Sequence, residues 1–301
     1  MKHFLHISDY SEKELWDILH LSKELKEKFH NREDYSPFQN QSLAMIFAKP
    51  SARTRISFEI GFEWMGGHAL FLGPNDIGIG KREAIKDVSR LFSRYNDLVM
   101  ARLFDHGHIT ELAEYASVPI INGLTDYNHP CQIMADIFTV WEHRSNLENL
   151  KIVYVGDGNN IVHSWLHLAM RFPMHFVCCC PEGYEPDSNT VQKARDEGIS
   201  NVEVVYDPTD GVKNADVIIL ASVQEFVYFI NAMHPRDIEK SQEKIRELYP
   251  YLNDKHIVLL TQDRAVDENL ILKYTLEDQV TPKAFTTIDE MDFPYCLQTL
   301  K

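Results

Sequence analysis

The sequence predicts an α/β fold with two doubly wound parallel-sheet domains that are joined by an interdomain helix. Short apolar runs alternate with segments of helical periodicity along both halves of the chain. The length of 301 residues suits two domains of ordinary size. A polar break at 146–150 separates a helical segment from a new apolar run. We therefore expect one domain over 1–145 and a second over 146–301, joined by a helix near 132–148.

In the first half, the pattern begins with a helix within 8–29, where Ser11 and Glu14 form a capping box. Short buried runs then predict strands at 42–47, 69–72 and 97–101, and another that ends at Ile121. Between and after them, helical spacing covers 56–65, 84–95 and 132–143.

In the second half, apolar runs predict strands at 151–155, 177–180, 202–206, 217–220 and 256–260. Open α/β sheets bind ligands outside the carboxyl ends of their strands. Polar residues that directly follow these strands are therefore the candidates for a functional site.

Composition narrows the function classes. The chain has 30 basic and 45 acidic residues, which gives a formal net charge of −15 and disfavours nucleic acid and anionic membranes as partners. No apolar run is long enough to cross a bilayer, and the N-terminal residues lack the pattern of a signal peptide, so we expect a cytoplasmic protein. The five cysteines contain no CxxC pair, and the adjacent Cys178, Cys179 and Cys180 suit a buried strand in a reducing compartment. We expect neither a metal nor a cofactor.

The most arginine-dense motif, at 51–55, opens a helix directly after a strand. Ser51 can cap this helix, and Thr54 adds a hydroxyl group. Arg53 and Arg55 add forked donors beside helix N–H groups that have no intrahelical acceptor, which suits a phosphate group. The alternative is a surface helix with solvated arginines.

Two further candidates also follow predicted strands. His129 is held in extended geometry by the proline after it, and Gln132 can bind an amide. The alternative for His129 is a buried histidine in a turn at a helix start. Arg102 closes a buried strand, where it lies either in a ligand crevice or in a salt bridge at its rim.

Two loops complete the set. Lys81 and Arg82 stand beside a glycine, in either a mobile lid over an anion or a solvated turn. The stretch 156–160 lacks the third glycine of a dinucleotide-binding loop, and its Asn159 and Asn160 suit a zwitterionic amino acid better.

In combination, these motifs resemble the aspartate/ornithine carbamoyltransferase family, and its ornithine branch in particular. The resemblance covers roughly residues 1–215, and it is carried by the stretches 51–59, 112–126, 129–132 and 156–164. It implies carbamoyl phosphate as the donor, an amino acid such as ornithine as the acceptor, and a role in arginine biosynthesis. It also implies a homotrimer in which the loop around Lys81 and Arg82 reaches a neighbouring site.

The resemblance assigns roles to the candidates. The phosphate is held by Ser51, Arg53, Thr54 and Arg55. The carbamoyl group is surrounded by Arg102, His129 and Gln132. Carbamoyl phosphate is an activated mixed anhydride, so no covalent nucleophile is needed. The catalytic donors are then Arg53, Thr54, Arg102 and His129.

Beyond residue 215 the resemblance decays. The segments 221–227, 260–264 and 289–291 depart from the family pattern, and Gly78 stands where a polar residue is usual. One explanation is an acceptor other than ornithine, bound by a new set of residues: Gln224, Glu225, Gln262, Asp263 and Arg264. The other is a catalytically silent paralogue that binds carbamoyl phosphate or serves as a regulatory subunit.

Overall fold

The structure is a computed structural model that describes residues 2–79 and 82–220, and the strands Ile257–Leu260 and Phe285–Thr287. The chain divides into two compact units, the first containing Met1–Phe138 and the second beginning at Thr139.

The first unit contains a four-stranded parallel sheet in the order β2-β1-β3-β4. Its strands are β1 (Ser42–Phe47), β2 (His68–Leu72), β3 (Leu98–Arg102) and β4 (Ile120–Leu124). Its helices are α1 (Glu12–His30), α2 (Ala52–Trp64), α3 (Pro74–Ile77), α4 (Ile85–Tyr95), α5 (His106–Tyr115) and α6 (Pro130–Arg144), of which α6 continues into the second unit.

The elements of the first unit form for local reasons. Residues 43–47 of β1 are all buried, as expected of a strand between two neighbours with helices on both faces. Helix α1 begins with the predicted capping box, in which Ser11 Oγ accepts the Glu14 N–H and the Glu14 carboxylate accepts the Ser11 N–H. These features confirm the predicted α/β architecture of this half.

The second unit contains a six-stranded parallel sheet in the order β10-β9-β8-β5-β6-β7. Its strands are β5 (Lys151–Val155), β6 (His175–Cys179), β7 (Asn201–Val205), β8 (Val217–Leu220), β9 (Ile257–Leu260) and β10 (Phe285–Thr287). The helices α7 (Asn160–Ala169), α8 (Ser188–Asp196) and α9 (Pro208–Val212) belong to it.

The buried core of this unit includes Trp165 of α7, whose ring stacks on Phe176 of β6 at 6.0 Å between centroids. The adjacent Cys178, Cys179 and Cys180 are buried and form no disulfide within the described part of the chain. Helix α6 carries the chain across the division between the units, so the predicted interdomain helix is confirmed.

The end of β4 was predicted wrongly. The strand continues through Asn122 and Gly123 to Leu124 instead of ending at Ile121. The main chain of Phe4 pairs with β4 on the side away from β3: its N–H donates to the Ile120 carbonyl, and its carbonyl accepts the Asn122 N–H, both at 2.8 Å. Phe4 thus holds Asn122 on one side, while the pairing with β3 continues to Leu124 opposite Arg102 across a register shift.

Strand β10, which pairs with β9, was not among the strands predicted from the sequence. Within the described residues, no helix combines the length and apolarity needed to cross a membrane.

Candidate active site

The loops after three neighbouring strands meet at the carboxyl edge of the first sheet. The Ala48 N–H, after β1, donates to the Arg102 carbonyl at the end of β3 at 2.9 Å. The Asp126 N–H, after β4, donates to the Phe104 carbonyl at 2.9 Å. Lys49 pairs with the Asp126 carboxylate across this edge at 3.6 Å. Three separate segments are therefore held together where the sequence predicts a ligand.

Thr54 lies at the centre of the predicted phosphate motif. Its side chain is 1% exposed, and its N–H donates to the oxygen of Ser51, the residue that caps helix α2. The Thr54 hydroxyl oxygen accepts hydrogen bonds from Ser51 Oγ and from Arg102 Nη1, each at 3.1 Å. A strand end and a helix start are thus joined around one hydroxyl group, with a guanidinium beside the positive end of the helix dipole.

The two arginines of the motif differ in their surroundings. Arg53 is exposed in the first turn of α2. Arg55 Nε donates to the Glu59 carboxylate at 2.9 Å, and its guanidinium lies 3.9 Å from the centre of the Phe71 ring. Phe71 belongs to β2, whereas Arg102 belongs to β3, on the other side of β1. Arg55 therefore lies toward the opposite side of β1 from the Thr54 cluster.

His129 and Gln132 lie at the start of α6, 4% and 3% exposed. The Gln132 amide nitrogen donates to the Asp136 carboxylate one turn later, at 2.8 Å. This hydrogen bond, made through the amide nitrogen, fixes the orientation of the Gln132 side chain. The neighbouring Cys131 thiol donates to the Asn122 carbonyl of β4, which packs the start of the helix against its preceding strand.

The loop with Lys81 and Arg82 is described from Arg82 onward, and Lys81 lies outside the described residues. The Arg82 N–H donates to the Gly78 carbonyl at 2.8 Å. Gly78 has a φ of 60°, and a β-carbon there would approach the Arg82 β-carbon to 3.1 Å. The glycine that departs from the family pattern therefore suits a left-handed turn with little space.

In the second unit, Asn159 caps helix α7. Its Oδ1 accepts the Ile161 N–H at 2.9 Å, and its amide nitrogen donates to the Tyr154 hydroxyl at 2.9 Å and the Asp157 carboxylate at 2.8 Å. Asn160 begins α7. The proposed acceptor residues Gln224 and Glu225 lie outside the described residues, as do residues 262–264.

Four side chains near His129 were missed by the sequence analysis: His6, His106, Thr125 and Asn128. They form hydrogen bonds with one another, and one of the four, Asn128, directly precedes His129. The adjacency of Asn128 to His129 was the available signal, whereas nothing local connects His6 to that loop.

Comparisons with known proteins match both halves of the chain. Residues 2–142 match the aspartate/ornithine carbamoyltransferase carbamoyl-P binding domain, and residues 148–266 match the Asp/Orn binding domain of the same family.

Individual relatives agree with these matches. A chloroplastic ornithine carbamoyltransferase of Pisum sativum is 56% identical over 219 residues, which cover 72% of this chain and 58% of the pea protein. An ornithine carbamoyltransferase of Anoxybacillus flavithermus is 46% identical over 220 residues, covering 72% of this chain and 70% of that protein.

A solved structure extends the likeness along the chain. The ornithine carbamoyltransferase from Pyrococcus furiosus superposes with a TM-score of 0.79 and 32% identity, over 99% of this chain and 95% of that one. The superposition thus spans nearly the whole length of the chain, and the two family models together match well over half of it. The chain belongs to the aspartate/ornithine carbamoyltransferase family.

Proposed function

We propose that this protein transfers the carbamoyl group of carbamoyl phosphate to the amine of ornithine or a related amino acid and releases phosphate. The observation that carries the proposal is the cluster of Ser51, Thr54 and Arg102 at the start of α2. It lies within the segment that matches a carbamoyl-P binding domain, and the relatives just described are named ornithine carbamoyltransferases.

The chemistry requires stabilisation of charge at two places. The amine attacks the carbonyl carbon, a C–N bond forms, the C–O bond to phosphate breaks, and the amine loses a proton. Negative charge grows on the carbonyl oxygen and then on the departing phosphate. Arg53, Thr54 and the N-terminus of α2 would bind the phosphate, while Arg102 and His129 would donate to the carbonyl oxygen.

The proposed roles of Gln132 and Arg55 are limited by the hydrogen bonds that these side chains already form. The Gln132 nitrogen already donates to Asp136, so its amide would meet the carbamoyl group with its position set in advance. Arg55 would have to leave Glu59 to bind phosphate, so we assign the larger share of phosphate binding to Arg53. Arg55 and Ser51 complete the phosphate site.

The acceptor is assigned to the second domain, which we place at 146–301, with the donor domain at 1–145. Asn159, Asn160, Gln224 and Glu225 are the proposed acceptor residues. Identity to the ornithine carbamoyltransferase of Pyrococcus furiosus is 43% over 216 residues but 32% when a structural alignment covers 99% of the chain. This drop agrees with an acceptor side that has diverged, which is why the acceptor is given as ornithine or a related amino acid.

We propose a homotrimer, in which Lys81 and Arg82 extend toward a neighbouring site. Apolar side chains on α2 and on the edge strand β2 support self-association: Ile56, Ile60 and Leu70 are 53%, 46% and 43% exposed. Light scattering coupled to size exclusion should give three times the chain mass of 34.9 kDa. A monomer at assay concentration would refute this part.

We further propose a cytoplasmic location and a role in arginine biosynthesis. The buried cysteines at 178–180, which form no disulfide among the described residues, fit a reducing compartment. Because the pea relative is named chloroplastic, fractionation of the source cells should look for the protein in both cytoplasm and organelles.

The test is incubation of the purified protein with carbamoyl phosphate and a panel of amino acids that includes ornithine. We expect ureido product and phosphate in equal amounts. Arg53→Ala should lose donor binding while keeping its fold, and Arg55→Ala should lose less. Arg90→Ala is the matched control, because Arg90 is exposed on α4 and pairs with Asp87.

Calorimetric titration with carbamoyl phosphate separates the alternatives. Tight donor binding without turnover on any amine would favour the silent paralogue or regulatory subunit over a transferase. Normal donor binding by Arg53→Ala would overturn the assignment of the phosphate site.

A further inference from the structure

Four side chains form a closed ring of hydrogen bonds, and one of them belongs to Asn128, the residue that precedes His129. His6 Nδ1 lies 2.9 Å from the amide nitrogen of Asn128, whose oxygen lies 3.2 Å from the Thr125 hydroxyl. The same hydroxyl lies 3.0 Å from His106 Nδ1, and His106 Nε2 lies 3.2 Å from His6 Nε2. Thr125 and Asn128 are 0% and 1% exposed, so the ring is closed on the buried side of its loop.

The direction of every bond in the ring follows from one contact outside it. The Asn128 amide nitrogen also lies 3.0 Å from the Leu5 carbonyl oxygen, which can only accept. Asn128 therefore donates to His6 Nδ1, and His6 carries its proton on Nε2. His6 then donates to His106 Nε2, so His106 carries its proton on Nδ1 and donates to Thr125. The Thr125 hydroxyl donates to the Asn128 oxygen and closes the ring.

This pattern requires both imidazoles to be neutral, because a second proton on either ring would face another donor. Burial, and next the proximity of His6, lower the pKa of His106 to about 4, while Asp105 and Asp9 act in the opposite direction. The Tyr127 ring also packs against both imidazoles, at 5.9 Å from His6 and 5.0 Å from His106 between centroids. His106 is therefore neutral at neutral pH.

The ring also fixes the main chain beside His129. The Asn128 N–H donates to the Thr125 hydroxyl at 3.2 Å, and the Asn128 carbonyl accepts the Thr125 N–H at 2.9 Å. On the other side of His129, Pro130 restricts the histidine backbone to extended geometry. Both neighbours of His129 are thus conformationally fixed, one by the ring and one by its own covalent structure.

We propose that His6 and His106 are positioning residues for His129. They hold Asn128 in place and thereby set the direction in which the His129 imidazole donates to the carbamoyl oxygen. The inference rests on the proposed transferase function, because only there does His129 act on a reacting atom. It also gives the N-terminal segment, which joins the edge of β4 through Phe4, a part in catalysis.

The test compares His6→Leu with His6→Gln. Leucine cannot take part in the ring, whereas a glutamine amide keeps one acceptor and one donor. We expect His6→Leu to lower kcat about tenfold with KM for carbamoyl phosphate nearly unchanged, since a small misplacement of a catalytic group affects the transition state most. His6→Gln should recover most of the lost rate. His20→Leu, an exposed histidine of α1, is the matched control.

Equal kcat for His6→Leu and the unaltered protein would overturn the proposal, and so would failure of glutamine to restore any rate in a folded variant. If His6→Leu does not fold, the tautomers of His6 and His106 in the unaltered protein test the proposal instead. Long-range proton–nitrogen NMR of the unaltered protein should find the protons on Nε2 of His6 and Nδ1 of His106, and the opposite tautomers would refute the ring. Absence of turnover in the unaltered protein would instead refute the proposed function. The NMR measurement of the tautomers would still test the ring of hydrogen bonds separately.

Discussion

Replacing Thr54 by valine removes the hydroxyl at the centre of the candidate active site and keeps the volume of the side chain. The hydroxyl oxygen accepts one hydrogen bond from Ser51 Oγ and another from the charged Arg102 guanidinium. In the variant, neither donor has this acceptor. The guanidinium then loses the contact with Thr54 that helps to direct it toward the position at which we expect the carbamoyl oxygen.

The size of the effect follows from the bond that is lost. A hydrogen bond that involves a charged group contributes about 1.5–3 kcal/mol. If that amount is lost from transition-state stabilisation, kcat/KM for carbamoyl phosphate should fall roughly 10- to 150-fold. The free energy of unfolding should fall by about 1–3 kcal/mol, because valine keeps the volume of the side chain but removes the acceptor of two donors at a buried position.

The assay is steady-state formation of ureido product at a saturating acceptor concentration, together with denaturant unfolding of each variant. Thr209→Val is the matched control, because the Thr209 hydroxyl is buried and makes no hydrogen bond within the described part of the chain. We expect the control to keep full activity. A Thr54→Val enzyme within about twofold of the unaltered kcat/KM would refute the reasoning, since the hydroxyl would then not organise Arg102.

Three further predictions concern stability. Gly158→Ala should destabilise the second unit by several kcal/mol (about 2–4), because the added β-carbon would lie 2.1 Å from the Pro186 nitrogen; denaturant unfolding measures this. Folded His106 has a pKa of about 4 against 6.5 ordinarily, so the unfolded state binds more protons between these values and stability should fall as pH drops from 6.5 to 4. After allowance for solvent screening, the loss should be about 1–2 kcal/mol, and His106→Gln should remove this pH dependence. Asp216→Asn should lower the melting temperature by a few degrees (about 2–4 °C), because the carboxylate binds the Arg144 guanidinium at 2.8 Å, and a scanning calorimeter would detect the change.

Strand positions were predictable where a parallel strand is buried on both faces. The strands Ser42–Phe47, Lys151–Val155 and Val217–Leu220 begin and end at the predicted residues. Such strands are short continuous apolar runs bounded by polar residues, so their limits are visible in the sequence. A distant edge partner is not visible, which is why the continuation of β4 beyond Ile121 was missed.

The candidate site was predictable residue by residue but not in its pairings. A helix-start motif and a charged strand end identify Thr54 and Arg102, yet only the sheet order brings them within hydrogen-bond distance. The pair of Arg55 and Glu59, with the i, i+4 spacing of a helix salt bridge, was accessible to sequence reasoning and changes the expected share of Arg55 in phosphate binding. By contrast, His6 is 122 residues from Asn128, and no local pattern could connect them.

The sheet orders give a common reason for both proposed substrate sites. In the first sheet, β1 lies beside β3, and the connections that leave their carboxyl ends go in opposite directions, to β2 and to β4, which opens a crevice there. The Arg102–Thr54 bond spans this switch point. In the second sheet, β5 lies between β6 and β8, and the equivalent crevice lies beyond Val155 and Leu220. The segment that departs from the family pattern begins directly after Leu220, at a strand end where this topology predicts a ligand, so we expect the choice of acceptor to change there.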